Sequence, residues 1–536
     1  MRRALAVALC SLLLVSACGR KREYPPPERY VPADAPIAVL VPALGTAARQ
    51  AGALYRTIAQ APQAAQLAEA HAAVKAQLGF DPLDPRGLEQ AGVDPGGSAA
   101  AALGPGRPAV LVLPILDLAK LDATVARLAR DRMGAAQRVT TKVRGVDVVT
   151  FRREAQGPAA LAYAAMGPHV LLASGPEAPE AVATAASLPE PSSLWKSPSA
   201  ARGREALGPG WLVSVISPSG SAALADLRPA RDGAALGLRA DATQLAIRVA
   251  VLLSPEREAW WKALGDAKPG VEGSVGRLPP DAALVMRWAG DPAEAARRLE
   301  PWYPPELKKA FAANQLDPVR DLSPAFGPGA AASLALAPTF TVTDFSSPRF
   351  DLRRSDPFSF VQLDAALPVR DPAVLRAFLA RLQKAGRRLG LQATPQGPAT
   401  APTGWTLAWG NAQVGLSLAG DRLLVAGGAS RLSALESRGS PGAPAYDPPS
   451  PAAKKALSSG LGGLVLDVEH LARSIEALPE EAYGTGPNAV VMRSLVSRYL
   501  EPASSLVSIS LRLDLAPGAA ILDLDVDGRS APQPRP

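Results

Sequence analysis

Two stretches of this chain alternate, Leu245-Ala-Ile-Arg-Val-Ala-Val251, with large apolar residues at every second position, and Ile521-Leu-Asp-Leu-Asp-Val526, with aspartates between apolar residues. A period of two predicts antiparallel strands with one solvated face. Further strands are predicted over Ala109–Leu113, Val146–Phe151 and Val170–Ala173, from their apolar, β-branched character. Helical spacing replaces alternation after two aspartates. Asp117 precedes Leu118, Leu121, Val125 and Leu128, and Asp371-Pro372 precedes Leu375, Phe378, Leu379 and Leu382, each an N-cap ahead of an apolar helix face. Asp84-Pro85, Asp291-Pro292 and Asp317-Pro318 repeat the cap with proline in the first turn, where its missing N–H costs little. Short glycine turns such as Arg144-Gly145 suit hairpins rather than βαβ crossovers. The expected class is α+β, with antiparallel sheets and helices packed on one face.

These signals recur in order. Val31-Pro-Ala-Asp-Ala35 answers Leu278-Pro-Pro-Asp-Ala282, each a turn feeding a strand, and Leu78-Gly-Phe-Asp-Pro82 answers Gln315-Leu-Asp-Pro318. Met166-Gly-Pro-His-Val-Leu-Leu answers Ala419-Gly-Asp-Arg-Leu-Leu-Val, and Ser197-Pro-Ser-Ala-Ala-Arg answers Ser450-Pro-Ala-Ala-Lys-Lys. Long-period self-similarity of this kind predicts two copies of one module, over 31–270 and 271–528, with a short disordered tail at 529–536.

Ahead of the first module, Arg2 and Arg3 precede an apolar run from Ala4 to Val15 that is too short to span a bilayer, closed by Val15-Ser16-Ala17-Cys18. This reads as a lipoprotein signal over 1–17 with Cys18 as the lipid attachment residue. Residues 18–30 then form a tether, in which Arg20-Lys21-Arg22 suits anionic head groups and Pro25-Pro26-Pro27 stiffens the spacer. The only other cysteine is Cys10, inside the signal. The remainder therefore has no disulfide, no thiolate metal ligand and no cysteine nucleophile. The net charge of +8 falls to +6 once Arg2 and Arg3 leave, which is too weak for a chain of 536 residues to imply nucleic-acid binding. A cell-envelope location follows, with Gly19 after the cysteine compatible with an outer membrane.

Candidate chemistry is sparse. His71, His169 and His470 are the only histidines and have no metal-ligand spacing, so neither a metal nor a cofactor is expected. Gly104-Pro-Gly106, Gly208-Pro-Gly210 and Gly327-Pro-Gly329 run into strand-like segments and read as turns, not phosphate loops. Ser193-Leu-Trp-Lys196 matches a Ser-x-x-Lys pattern without its companion motifs. Trp260-Trp261 reads as one core indole beside one half-exposed indole on a helix.

The copies differ most at one hairpin. Ala99–Leu103 and Ala109–Leu113 are joined by Gly104–Pro108, whereas Ala331–Ala337 and Phe360–Leu367 are separated by a long insertion, Thr339 to Pro357 included. Phe340, Phe345 and Phe350 interleave there with Arg349, Arg353 and Arg354. Such content suits either an interaction loop or a small satellite core over the sheet. With its paired openings at Val31–Ala35 and Leu278–Ala282, the chain resembles uncharacterised bacterial secreted proteins and lipoproteins built from a duplicated domain of unknown function. The resemblance implies an envelope address and supplies no catalytic residue. The sequence thus points to a lipid-anchored envelope protein with an interaction or structural role and no catalysis, its partners the membrane and an envelope protein. The alternatives are a carrier of an apolar ligand held between sheet and helices, and a hydrolase using carboxylates in a cleft.

Overall fold

In the computed structural model the described residues are 26–59, 65–218, 232–264, 272–300, 305–342, 356–386, 388, 390–398, 401–427, 429–438 and 444–529. The expected signal, Cys18 and all of the tail after Arg529 lie outside them. The chain is α+β and packs as two compact units: Met1–Thr46 with Gln77–Ser197, and Ala47–Ala76 with Pro198–Pro536.

The first unit holds β1 (Ile37–Val41), β2 (Ala99–Leu103), β3 (Val110–Pro114), β4 (Gln137–Val143), β5 (Val146–Arg152), β6 (Ala159–Met166) and β7 (His169–Ser174). They pair antiparallel in the order β1-β2-β3-β7-β6-β5-β4. Between β3 and β4 runs α1 (Leu118–Met133), opened by Asp117 accepting from the Lys120 N–H and closed by Gly134 in the left-handed region. Its Leu121, Val125 and Ala129 are buried. After β7, α2 (Ala178–Ala186) packs across β5, β6 and β7.

The second unit holds β8 (Val213–Pro218), β9 (Gly233–Ala240), β10 (Gln244–Leu252), β11 (Leu284–Trp288), β12 (Ala330–Leu336), β13 (Val361–Pro368), β14 (Leu391–Gln396), β15 (Gly404–Trp409), β16 (Ala412–Ala419), β17 (Arg422–Gly427), β18 (Gly462–Asp467), β19 (Leu506–Ala516) and β20 (Ala519–Gly528). Within it, β11-β12-β13-β17-β16-β15-β14 repeats the strand order of the first unit. From β11 the sheet continues through β18-β19-β20 to β10-β9-β8, all antiparallel. Packing groups residues 198–270 with the later strands: β10 pairs with β20 along its whole length, from Gln244 opposite Asp527 to Leu252 opposite Ala519.

Helices α3 (Pro198–Leu207), α4 (Pro372–Gly386), α5 (Ala429–Ser437), α6 (Pro451–Ser458), α7 (Val468–Glu476) and α8 (Pro487–Leu500) accompany these strands. Ala453, Ala456 and Leu457 of α6 fill the space above Val285, Ala331 and Val465. α3 lies across β8, β9 and β10 on the same side, with Gly203 close to Ala235 and Ile216. Toward β14 the sheet is covered on both sides, because α4 packs on Leu423 while α5 packs on the adjacent Leu424.

The polar positions of β10, β19 and β20 point under the helices, not into solvent as their alternation suggests. Arg248 grips Asp523 through both oxygens, Nε at 2.6 Å and Nη2 at 3.1 Å, and its Nη1 donates to the Leu207 carbonyl at the end of α3. Arg512 donates to the same carboxylate at 2.5 Å and to Asp514 at 2.9 Å. In the same row, Arg287 donates to the Ser459 and Gly460 carbonyls just past α6. The pattern is satisfied by cross-strand ion pairs and helix ends, so burial on this side is tolerated.

Burial alone would raise the Asp523 carboxyl, but hydrogen bonds from Arg248 and Arg512 outweigh it and hold the group below the ordinary range. Asp525 is raised, by burial first and then by Asp523 and Asp527. Ionised Asp523 therefore adds stability above the ordinary aspartate pKa, and this is lost as pH falls through its depressed folded value. Ionised Asp525 works the other way, and its cost is relieved as pH falls through its raised folded value. Asp523→Asn should lower unfolding free energy by about 3 kcal/mol at neutral pH, because it strands two arginines. Asp525→Asn should raise the urea midpoint at neutral pH. Equal losses from both variants would refute this assignment.

Candidate functional site: an uncovered aliphatic sheet face

On the side of the second unit's sheet away from α3 and α6, alternate residues are aliphatic from strand to strand. Met286 of β11 faces Leu464, which faces Leu511, then Leu524, Ile247, Leu238 and finally Val213 of β8. The next line runs from Trp288 through Gly462, Leu513, Leu522, Val249 and Leu236 to Val215. A third joins Leu284, Leu466, Ile509, Val526 and Leu245. No polar side chain interrupts these lines. Met286 and Leu522 are 39% and 41% exposed although their strands are interior to the sheet. A contiguous apolar face of this kind is a candidate binding surface.

The face is indented. A groove of about 410 Å³ runs over β12, β11, β18, β19 and β20, lined by Met286, Trp288, Leu464, Leu511, Leu513 and Leu522. Its floor is lowered by Ala330, Ala332, Ala365 and Gly462, whose small side chains set the backbone within reach. Above β11 and β18 the space between sheet and helix is filled by α6, so this groove lies on the opposite side of those strands.

At one end of this face the chain builds a satellite layer. Leu336 shares its side of β12 with Ala332 and Leu334, and packs with Phe340 and Val342 against Leu478, Ala482, Tyr483 and Ala489, beside Ile475, Met492 and Val496. The Phe340 ring meets Phe360 edge-on at 6.3 Å. Phe340 is thus turned into a core and is not an outward anchor. Phe345, Arg349, Phe350, Arg353 and Arg354 lie outside the described residues. The sequence reading missed α7 and α8, which occupy the link between β18 and β19, although Asp467 before Val468, Leu471 and Ile475 gives the same cap-and-stripe signal as Asp117.

The other singled-out residues are structural. Asp84, Asp117, Asp291, Asp317 and Asp371 all accept backbone amides at helix starts. Ser193 donates to the Glu190 carbonyl and Lys196 pairs with the Glu190 carboxylate at 3.3 Å, so both side chains are engaged by Glu190. His71 packs on Tyr55, His169 is buried at the start of β7 beside Tyr30, and His470 reaches the Asp281 carbonyl at 3.1 Å. Trp260 and Trp261 meet edge-on on a helix that buries none of its residues, so neither indole is core. In the first unit a cavity of about 360 Å³ between β2, β3 and α2 carries Arg107, paired with Asp34, and Glu180, paired with Arg144, at its rim. Among the described residues, no His, Cys, Asp or Glu group could hold a metal ion, and no helix is long and apolar enough to cross a membrane.

The chain matches no family model and no curated protein. Among solved structures it is similar to TP0453 in crystal forms IV and III, with a TM-score of 0.25 for each and identities of 12% and 10%. These alignments cover 46% and 47% of this chain and 88% and 90% of that one. Crystal form I aligns at a TM-score of 0.20. Likeness at this level carries no argument about fold or function.

Because Phe340 packs inward, Phe340→Ser should lower stability by about 2–3 kcal/mol through lost burial. An unchanged urea midpoint would return this residue to the surface.

Proposed function

We propose that the protein is a non-catalytic envelope component, anchored through lipidated Cys18, that holds an acyl chain or a similar aliphatic group in the groove over β11 and β18–β20. The single observation carrying this reading is the unbroken aliphatic register from Met286 and Trp288 to Val213 and Val215. Pockets of about 300–1,000 Å³ commonly seat small ligands, and a lining without carboxylates or hydroxyls suits a ligand without polar groups along its length.

The lipobox Val15–Cys18 supports the anchor, and the envelope location follows from it, the outer membrane if the host has two membranes. The shared strand order of β1–β7 and β11–β17 supports reading the chain as a duplicated module, with the ligand face in the second copy. A partner protein remains part of the proposal for the region around the insertion.

Native mass spectrometry of protein purified from its own envelope, with titration of a fluorescent long-chain fatty acid, tests the groove. Leu513→Glu should weaken probe binding about tenfold or more by placing a charge in the aliphatic lining. It should leave the thermal midpoint nearly unchanged, because that face is open. Probe binding equal in wild type and variant, or absent from both, would overturn the groove assignment. Cys18→Ser tests the anchor separately, and should release the body into the soluble fraction or block its maturation. Full membrane retention with normal processing would exclude Cys18 as the attachment point.

A further inference from the structure

We infer that the cavity of the first unit binds a small alkyl cation, an aliphatic stem ending in an ammonium or guanidinium group, independently of the groove in the second unit. The repeated strand order matches positions between the copies. Val110 of β3 lies opposite Ala173 of β7 and Ala102 of β2, and Asp364 of β13 lies opposite Ala426 of β17 and Ser333 of β12. Ala38 and Val285, opposite Ala102 and Ser333, each stand four residues after the aspartate of the matched openings, Asp34 and Asp281. In the second copy this place is filled by Arg431 of α5, which bonds Asp364 at 2.6 Å, Asp281 at 3.3 Å and the Gln362 side chain. The first copy keeps the aspartate of the opening as Asp34, but Val110 stands for Asp364 and Pro108 for Gln362, and α2 has no arginine or lysine. The cavity of about 360 Å³ lies there, with Ala102, Pro108 and Val110 on the strand side and Ala181 and Ala185 on the helix side.

An apolar interior and a charged mouth select the ligand. Those five residues offer no side-chain hydrogen bond, and the one hydroxyl of the lining, Thr184, is exposed. The buried part of an occupant is therefore aliphatic, as is the stem of Arg431 in the second copy. At the mouth, Glu177, Glu180 and Asp34 outnumber Arg107 and Arg144. Arg107 and Asp34 are 68% and 72% exposed, the Glu180–Arg144 pair is similarly open, and Glu177 belongs to neither. Exposed pairs contribute little, so a ligand cation can take these carboxylates while its stem enters. A fatty acid would bring its own carboxylate to the same acidic rim. The volume is that of a small-ligand pocket.

The test titrates the full chain carrying Cys18→Ser with hexylamine, hexanol and hexanoate in isothermal titration calorimetry. Hexylamine should bind about tenfold or more tighter than either of the others, and its binding should weaken with salt. Ala181→Leu fills the cavity from α2 and should abolish binding with a nearly unchanged urea midpoint. Glu177→Gln with Glu180→Gln should bring hexylamine down to the affinity of hexanol, and this variant is read alone should Ala181→Leu fold poorly. Leu513→Glu should leave hexylamine binding unchanged, which separates this site from the groove. No binding of hexylamine, equal binding of hexanoate, unchanged binding in the cavity or glutamine variants, or loss on Leu513→Glu would each overturn the proposal.

Discussion

The bidentate pairing of Arg248 with Asp523 sits midway along the β10–β20 ladder, and the polarity of the whole second unit depends on it. Burying an ion pair costs desolvation that its Coulomb attraction repays only when the remaining donors and acceptors are also satisfied. Here they are: Arg248 also reaches the Leu207 carbonyl, and Arg512 takes up the second side of Asp523 and ties in Asp514. The guanidinium at the C-terminus of α3 also complements the helix dipole. The same chain of contacts joins two strands, β10 and β20, that are far apart in sequence. Removing one member leaves uncompensated charge under the helices, whereas each aliphatic residue on the reverse side can be changed without that penalty.

A second buried cation plays a similar part near the insertion. Arg431 of α5 bonds Asp364 at 2.6 Å and reaches Asp281 at 3.3 Å and the Gln362 side chain. Burial raises the Asp364 carboxyl, with Arg431 working against it. These contacts fix α5 on β13 and hold Asp281, in the turn before β11, to the same helix. The position of β11 at the edge of the groove is thus set by polar contacts on the covered side, while the aliphatic side carries no such restraint.

Much of the local structure was legible. Asp117 and Asp371 were read as caps and are caps, because a carboxylate accepting free amides is a local interaction needing no tertiary context. The strands at 245–251 and 521–526 followed from period-two alternation, and the hairpin at 99–113 from its Gly104–Pro108 closure, in the same local way. The side on which each half of that alternation falls was not legible. A period of two fixes that Leu522 and Asp523 point apart; which of them lies under a helix depends on partners such as Arg248, 275 residues away in the chain. Phe340 illustrates the same limit, since an aromatic residue in an insertion looks identical in sequence whether it turns outward or meets Tyr483 and Met492. Those partners lie on helices that were themselves unread, so the satellite core could not be assembled from the insertion alone.

Why the aliphatic side is not simply turned inward follows from two glycines. Gly463 of β18 stands in the row of Arg512 and Asp523, and a Cβ there would run into the Ala456 carbonyl of α6. Gly237 of β9 stands opposite Arg248, and a Cβ there would strike the Trp211 ring. Moving either strand by one residue would bring Leu464 or Leu238 under those close-set groups and lift the arginines and aspartates off their partners. A one-residue slip inverts every side chain of a strand, and here both ends of the exchange are unfavourable: leucine has no room on the covered side, and the ion pairs lose their helix ends. The exposed aliphatic face is therefore not an accident of marginal packing that a small shift could correct. At Gly463 and Gly237 it is the side left for side chains of that size once α6 and Trp211 have closed on the other.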